Sequence, residues 1–226
     1  MARHIEFQFD DKLQYQLDAI NSVIELFKGL PKKGDGIYGN TYRSKTLGEN
    51  EPIRNVEIVN GDKLEENLNK VQLKNNLFAT KLQGNDFTIE METGTGKTYV
   101  YLRTILELNK EYGFTKFIIV VPSIAIRTGI EKSIKMLKDH FKALYGIDLT
   151  KHSFIYDSKN MKSISTNLVE TRDISICIMN IQAFNKDNNK IRQEDEYGQI
   201  LWRDIQTIKP IVIIDEPQKI EGDKKK

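Results

Sequence analysis

Asp86-Phe87-Thr88-Ile89-Glu90-Met91-Glu92-Thr93-Gly94-Thr95-Gly96-Lys97-Thr98 is the stretch on which the fold turns. Its apolar residues predict a strand over 87–90, and the helical spacing that follows predicts a helix over 97–111. Strand, glycine-rich turn and helix in that order form the context of a phosphate-binding loop. Gly94 and Gly96 carry no side chains, so backbone N–H groups can point into one concavity. The positive end of the helix dipole adds to it. Thr93, Gly94, Thr95, Gly96, Lys97 and Thr98 are therefore candidate nucleotide-binding residues. Lys97 supplies a mobile cation for the outer phosphates, and Thr98 a hydroxyl ligand for magnesium. The plainer alternative is a glycine-rich strand-to-helix turn with an incidental lysine.

Working outward, short apolar segments alternate with helices. Strands are predicted over 87–90, 116–121, 154–156, 174–179 and 211–215, with a helix running from about Pro122 to about Phe141. That alternation indicates an α/β fold with a mostly parallel sheet and helices on its faces. Ile118-Ile119-Val120-Val121 and Ile211-Val212-Ile213-Ile214 have the continuous apolar character of strands covered on both sides. Upstream, Leu13, Leu17, Ile20, Val23, Ile24 and Phe27 recur at helical spacing until Gly29 and Pro31 stop the helix. Residues 31–61 read as a long surface excursion, and a polar helix is predicted over 63–78. The expected division is a helical N-terminal segment with an insertion (1–85) and a nucleotide-binding domain (86–226).

Pro210-Ile211-Val212-Ile213-Ile214-Asp215-Glu216-Pro217-Gln218 places two carboxylates at the end of a buried strand. Ligands of open parallel sheets bind at that edge. Asp215 is read as a magnesium ligand, and Glu216 as the base that orients and deprotonates the attacking water. A solvated acidic turn is the alternative.

Composition narrows the class. The 226 residues carry 34 basic and 32 acidic side chains, so any case for nucleic-acid binding must be local. Such a case exists between residues 116 and 142, where Lys116, Arg127, Lys132, Lys135, Lys138 and Lys142 face only Glu131 and Asp139, although a solvated helix face with routine charge bias accounts for the excess equally well. The single cysteine, Cys177, excludes a disulfide framework and reads as a small buried hydrophobe. His4, His140 and His152 show no metal spacing. The longest apolar run is far short of the ~20 residues that span a bilayer, and the N-terminus has no signal core. These features read as a cytoplasmic-type chain with no membrane partner.

Five motifs in order, Tyr15-Gln16-Leu17-Asp18-Ala19-Ile20, Thr93-Gly94-Thr95-Gly96-Lys97-Thr98, Val121-Pro122-Ser123-Ile124-Ala125-Ile126-Arg127, Asn180-Ile181-Gln182-Ala183-Phe184 and Asp215-Glu216-Pro217-Gln218, resemble the front half of the motor in the Res subunit of type III restriction enzymes. That family is a superfamily 2 helicase-like ATPase. The Asp-Glu-Pro-Gln form separates it from RNA helicases. Met91 stands where the strict loop pattern has glycine, a relaxation common among helicase-type ATPases. The resemblance implies a RecA-like P-loop domain binding ATP and Mg2+, with Gln16 reading adenine and Glu216 and Lys97 serving hydrolysis. It also implies that Ser123 and Arg127 grip DNA phosphates, with double-stranded DNA and a methyltransferase (Mod) subunit as partners.

The family's Ser-Ala-Thr strand, which lies between the strands of Lys97 and Asp215, has no counterpart up to Lys226. A second motor domain and a nuclease site have none either. The sheet is accordingly expected to be incomplete toward the C-terminus. The expected function is the ATP-hydrolysing motor portion of a DNA-translocating restriction subunit. The alternatives are a truncated product without independent activity and a stand-alone nucleotide-binding module.

Overall fold

The computed structural model describes residues 9–30, 54–55, 61–195 and 197–221. Nearly all of the expected excursion over 31–61 therefore lies outside the described residues, as do His4 and the three terminal lysines. Four parallel strands, β1 (Lys116–Val121), β2 (Ser153–Ile155), β3 (Ser175–Asn180) and β4 (Ile211–Ile214), form one sheet in the order β2-β3-β1-β4. Parallel neighbours need long crossovers, and helices supply them.

Side-chain alternation divides the sheet into two faces. Phe117, Ile119 and Val121 join Ile176 and Ile178 in the larger core. Helices α1 (Gln14–Leu26), α2 (Gly61–Lys74), α3 (Lys97–Tyr112), α4 (Ile124–Met136) and α5 (Lys138–Tyr145) contribute to that side. Leu102, Ile105 and Leu106 of α3 are fully buried there, and each contributes about 1.5–3 kcal/mol. Ile118, Val120, Cys177 and Met179 face the other way, against Ile164, Leu168 and Ile205. Cys177 is buried as expected, and burial pushes its thiol well up from the ordinary value.

The helix expected from Pro122 to Phe141 is two helices. Leu137 closes α4 with ψ near 0° and opens α5, a turn that lets both Leu137 and Phe141 reach the core.

Two expectations about strands fail together. Residues 87–90 form no strand, and β4 is not covered on both sides. Ile211 and Ile213 pack on the larger core, whereas Val212 and Ile214 are each 50% exposed. β4 pairs with β1 alone, so the segment before the phosphate loop has no ladder partner among the described residues. The outer edge of β4 therefore presents its backbone N–H and C=O groups without ladder partners among the described residues.

Candidate functional site

Local sequence explains how the phosphate loop is built. Gly94 and Gly96 both have φ of +84°, a region that costs other L-residues about 1–2 kcal/mol. Gly96 also opens α3, which closes at Gly113 in the same left-handed conformation. A Cβ on Gly96 would stand 2.7 Å from Gln16 Nε2, so the bare backbone here is a condition of close approach. Met91 is not among the described residues with positive φ, and it contributes its backbone carbonyl to the loop. Glycine is therefore not required at that position.

Lys97 Nζ donates to the carbonyls of Met91 (3.0 Å) and Glu92 (3.3 Å) and stands 4.0 Å from Glu216 Oε1. Thr95 Oγ1 donates to the Glu92 carbonyl at 2.7 Å, tightening the same turn. Gln16, on α1, is 7% exposed and donates from Nε2 to the Thr95 carbonyl at 2.9 Å. The N-terminal helix is thereby tied to the loop itself.

The carboxylates approach from the opposite side. Asp215 donates its backbone N–H to the Val120 carbonyl at 2.9 Å, extending the β1–β4 pairing by one bond. Its carboxyl is held above the usual range, first by burial and then by the neighbouring Glu216, with Lys97 pulling the other way. Glu216 has φ of +56°, an uncommon conformation for a non-glycine residue and one that concentrates at functional sites. Gln218 and Lys219 bracket its outer oxygen at 2.5 and 3.5 Å.

Sequence reading passed over Tyr101. It lies one helical turn beyond Thr98, and its hydroxyl donates to Asp215 Oδ2 at 3.5 Å. The three-residue spacing from Thr98 was the available signal, because i and i+3 share a helix face.

Past the ends of β1 and β3 lies a second cluster. Ser123 caps α4, its hydroxyl accepting from the Ile126 N–H at 3.3 Å, which by itself accounts for a serine there. Arg127, one turn on, donates from Nη1 to Asn180 Oδ1 at 3.0 Å. The local basic excess is smaller than the sequence count. Lys116 is fully buried and bonds the Thr171 carbonyl, Lys135 pairs with Glu131 at 2.7 Å, and Lys138 with Asp148 at 3.6 Å. Trp202, uninformative in the sequence, packs against Phe184 (centroids 5.3 Å apart, 17° between planes) and lies under the Arg192 guanidinium at 4.7 Å. These contacts fasten the connection between β3 and the helix Leu201–Thr207.

The residues fit Mg·ATP. The loop has two glycines with φ of +84°, a lysine at its mouth, and a hydroxyl and a carboxylate suited to a hard cation. Among the described residues no group of three or more His, Cys, Asp or Glu side chains converges. No helix among the described residues is long and apolar enough to cross a membrane.

Comparison with known proteins agrees with the motifs. The family described as type III restriction enzyme, res subunit, matches residues 11–225. The Res subunit of the EcoP15I type III restriction-modification enzyme of Escherichia coli is 31% identical over 97% of this chain, and that of EcoPI of Escherichia phage P1 is 28% identical over 97%. The StyLTI Res subunit of Salmonella typhimurium is 33% identical over 61%. The chain spans 24% of the length of the first two relatives and 16% of the third. Strand order, phosphate loop, acidic strand end and this match over nearly the whole length agree: the chain belongs to the family of type III restriction enzyme Res subunits.

Proposed function

We propose that the chain is the ATP-binding portion of a motor that hydrolyses ATP with magnesium and moves along or remodels duplex DNA. Residues 86–226 are read as the first RecA-like domain, and residues 1–85 as the segment bringing Gln16 to it. The observation that supports this most is the meeting of Lys97 and Glu216, distant in sequence, beside two left-handed glycines.

In this reading the loop N–H groups and Lys97 bind the phosphates, and Gln16 reads the adenine while holding the loop. Thr98 and Asp215 would hold magnesium, which when bound neutralises charge on the transferring phosphate. Glu216 takes the proton of the attacking water. Lys97 then leaves the Met91 and Glu92 carbonyls for the nucleotide. Ser123 and Arg127 contact DNA phosphates without reading sequence, and target choice falls to a methyltransferase (Mod) partner.

One observation favours a second, narrower reading. Half-exposed Val212 and Ile214 leave one face of the edge strand β4 uncovered, as in a chain that binds nucleotide but hydrolyses it only with further protein. Steady-state ATPase measurement with and without duplex DNA tests both. DNA-stimulated phosphate release that needs Mg2+ supports the motor. Nucleotide binding without turnover supports the narrower reading, and neither binding nor turnover contradicts both.

A further inference from the structure

The Tyr101 hydroxyl contacts Asp215 from a position one helical turn beyond Thr98, and so lies beside two residues of the candidate site that come from different elements. Its ring packs against the larger core, so the side chain has little freedom. Its oxygen stands 3.5 Å from Asp215 Oδ2, and Thr98 lies one turn before it on the same face of α3. A tyrosine hydroxyl has one donor and two acceptor positions, enough to serve both partners at once. Donation to Oδ2 leaves Asp215 Oδ1 for an ion, and a free acceptor position on the phenol can take the Thr98 hydroxyl proton, which would leave the Thr98 lone pairs for the same ion. The 3.5 Å separation is long for a hydroxyl–carboxylate bond, as in contacts that tighten only when a ligand arrives.

We propose that Tyr101 is a positioning residue for magnesium, its hydroxyl orienting the Thr98 hydroxyl and the Asp215 carboxylate toward one ion. The inference rests on the Mg·ATP reading above. Partners of this kind, which touch the ligands and not the metal, change metal affinity by about 10–100-fold when removed.

Tyr101→Phe keeps the ring and its packing and deletes only the oxygen. The test titrates a fluorescent ATP analogue into the 226-residue chain and its variant, first in EDTA and then across a Mg2+ series. The expected result is unchanged affinity in EDTA with a Mg2+ half-point raised by about tenfold or more. Superimposable Mg2+ curves would overturn the proposal. So would an equal loss of affinity with and without Mg2+, which would mark Tyr101 as part of the packing alone. A wild-type chain that binds no nucleotide under any condition would sink the underlying reading along with this one, and is distinguishable because the wild-type titration itself would be flat.

Discussion

Lys97 Nζ and Glu216 Oε1 stand 4.0 Å apart, across the interval between the start of α3 and the turn after β4. The pair links the group proposed to bind phosphate with the group proposed to activate water. The two should therefore fail differently. Glu216→Gln keeps the shape and removes the proton acceptor, so turnover should fall by about 10²–10⁴-fold with nucleotide affinity little changed. Equilibrium binding beside single-turnover hydrolysis, in whatever assembly turns over, checks this. Equal loss of both would contradict the assignment.

The two loop glycines share a φ of +84° but not their surroundings. A Cβ on Gly94 meets nothing within 4 Å, whereas one on Gly96 meets Gln16 Nε2. Gly94→Ala should cost about 1–2 kcal/mol from backbone strain. Gly96→Ala should cost about 1 kcal/mol more, because Gln16 must swing aside and give up its bond to Thr95. Adding Gln16→Ala to each variant should close that gap in denaturant melts.

Most of the fold was legible because β1, β3 and α3 combine a clear period with firm punctuation. Lys116–Val121 was read to the residue, and α3 ends at Tyr112 where the sequence implied residue 111. The strand over 87–90 was not, because a strand needs a partner and apolar alternation cannot say whether one is present. The break at Leu137 was hidden because an apolar residue at helical spacing looks the same whether it continues a helix or turns it. In the site, Lys97 and Asp215 stand in recognisable motifs, whereas Tyr101 acts through geometry that only the folded chain brings about. The basic bias between 116 and 142 misled for the opposite reason, since composition cannot see that Lys116 is buried.

Arg127 and Asn180 join the ends of β1 and β3 through a 3.0 Å bond. If Arg127 contacts a DNA phosphate, Arg127→Ala should lower the slope of log affinity against log salt by about one. Asn180→Ala removes no charge, so it should weaken binding while leaving the slope unchanged. Duplex binding at several salt concentrations separates the two. A variant Arg127 with the wild-type slope would exclude the contact.

His140 lies against Phe9 and Tyr99, with its ring 3.0 Å from the Tyr99 hydroxyl. Burial lowers its pKa from the ordinary 6.5, Arg103 adds to that, and Asp11 opposes it. The unfolded chain therefore takes up the proton first as pH falls. The contribution is full above about pH 6.5 and is lost as pH drops through the folded value. Between pH 7 and pH 5 the wild-type melting temperature should fall further than that of His140→Gln.

The most direct test of the central claim, that this loop binds Mg·ATP, is a thermal melt of the 226-residue chain with and without Mg·ATP, repeated on Lys97→Ala. At a hundred times the dissociation constant, binding adds about 2.7 kcal/mol, which is on the order of 5–10 °C for a chain of this size. The account predicts that rise in the wild type and its loss in Lys97→Ala. A cooperative wild-type melt indifferent to nucleotide would contradict it.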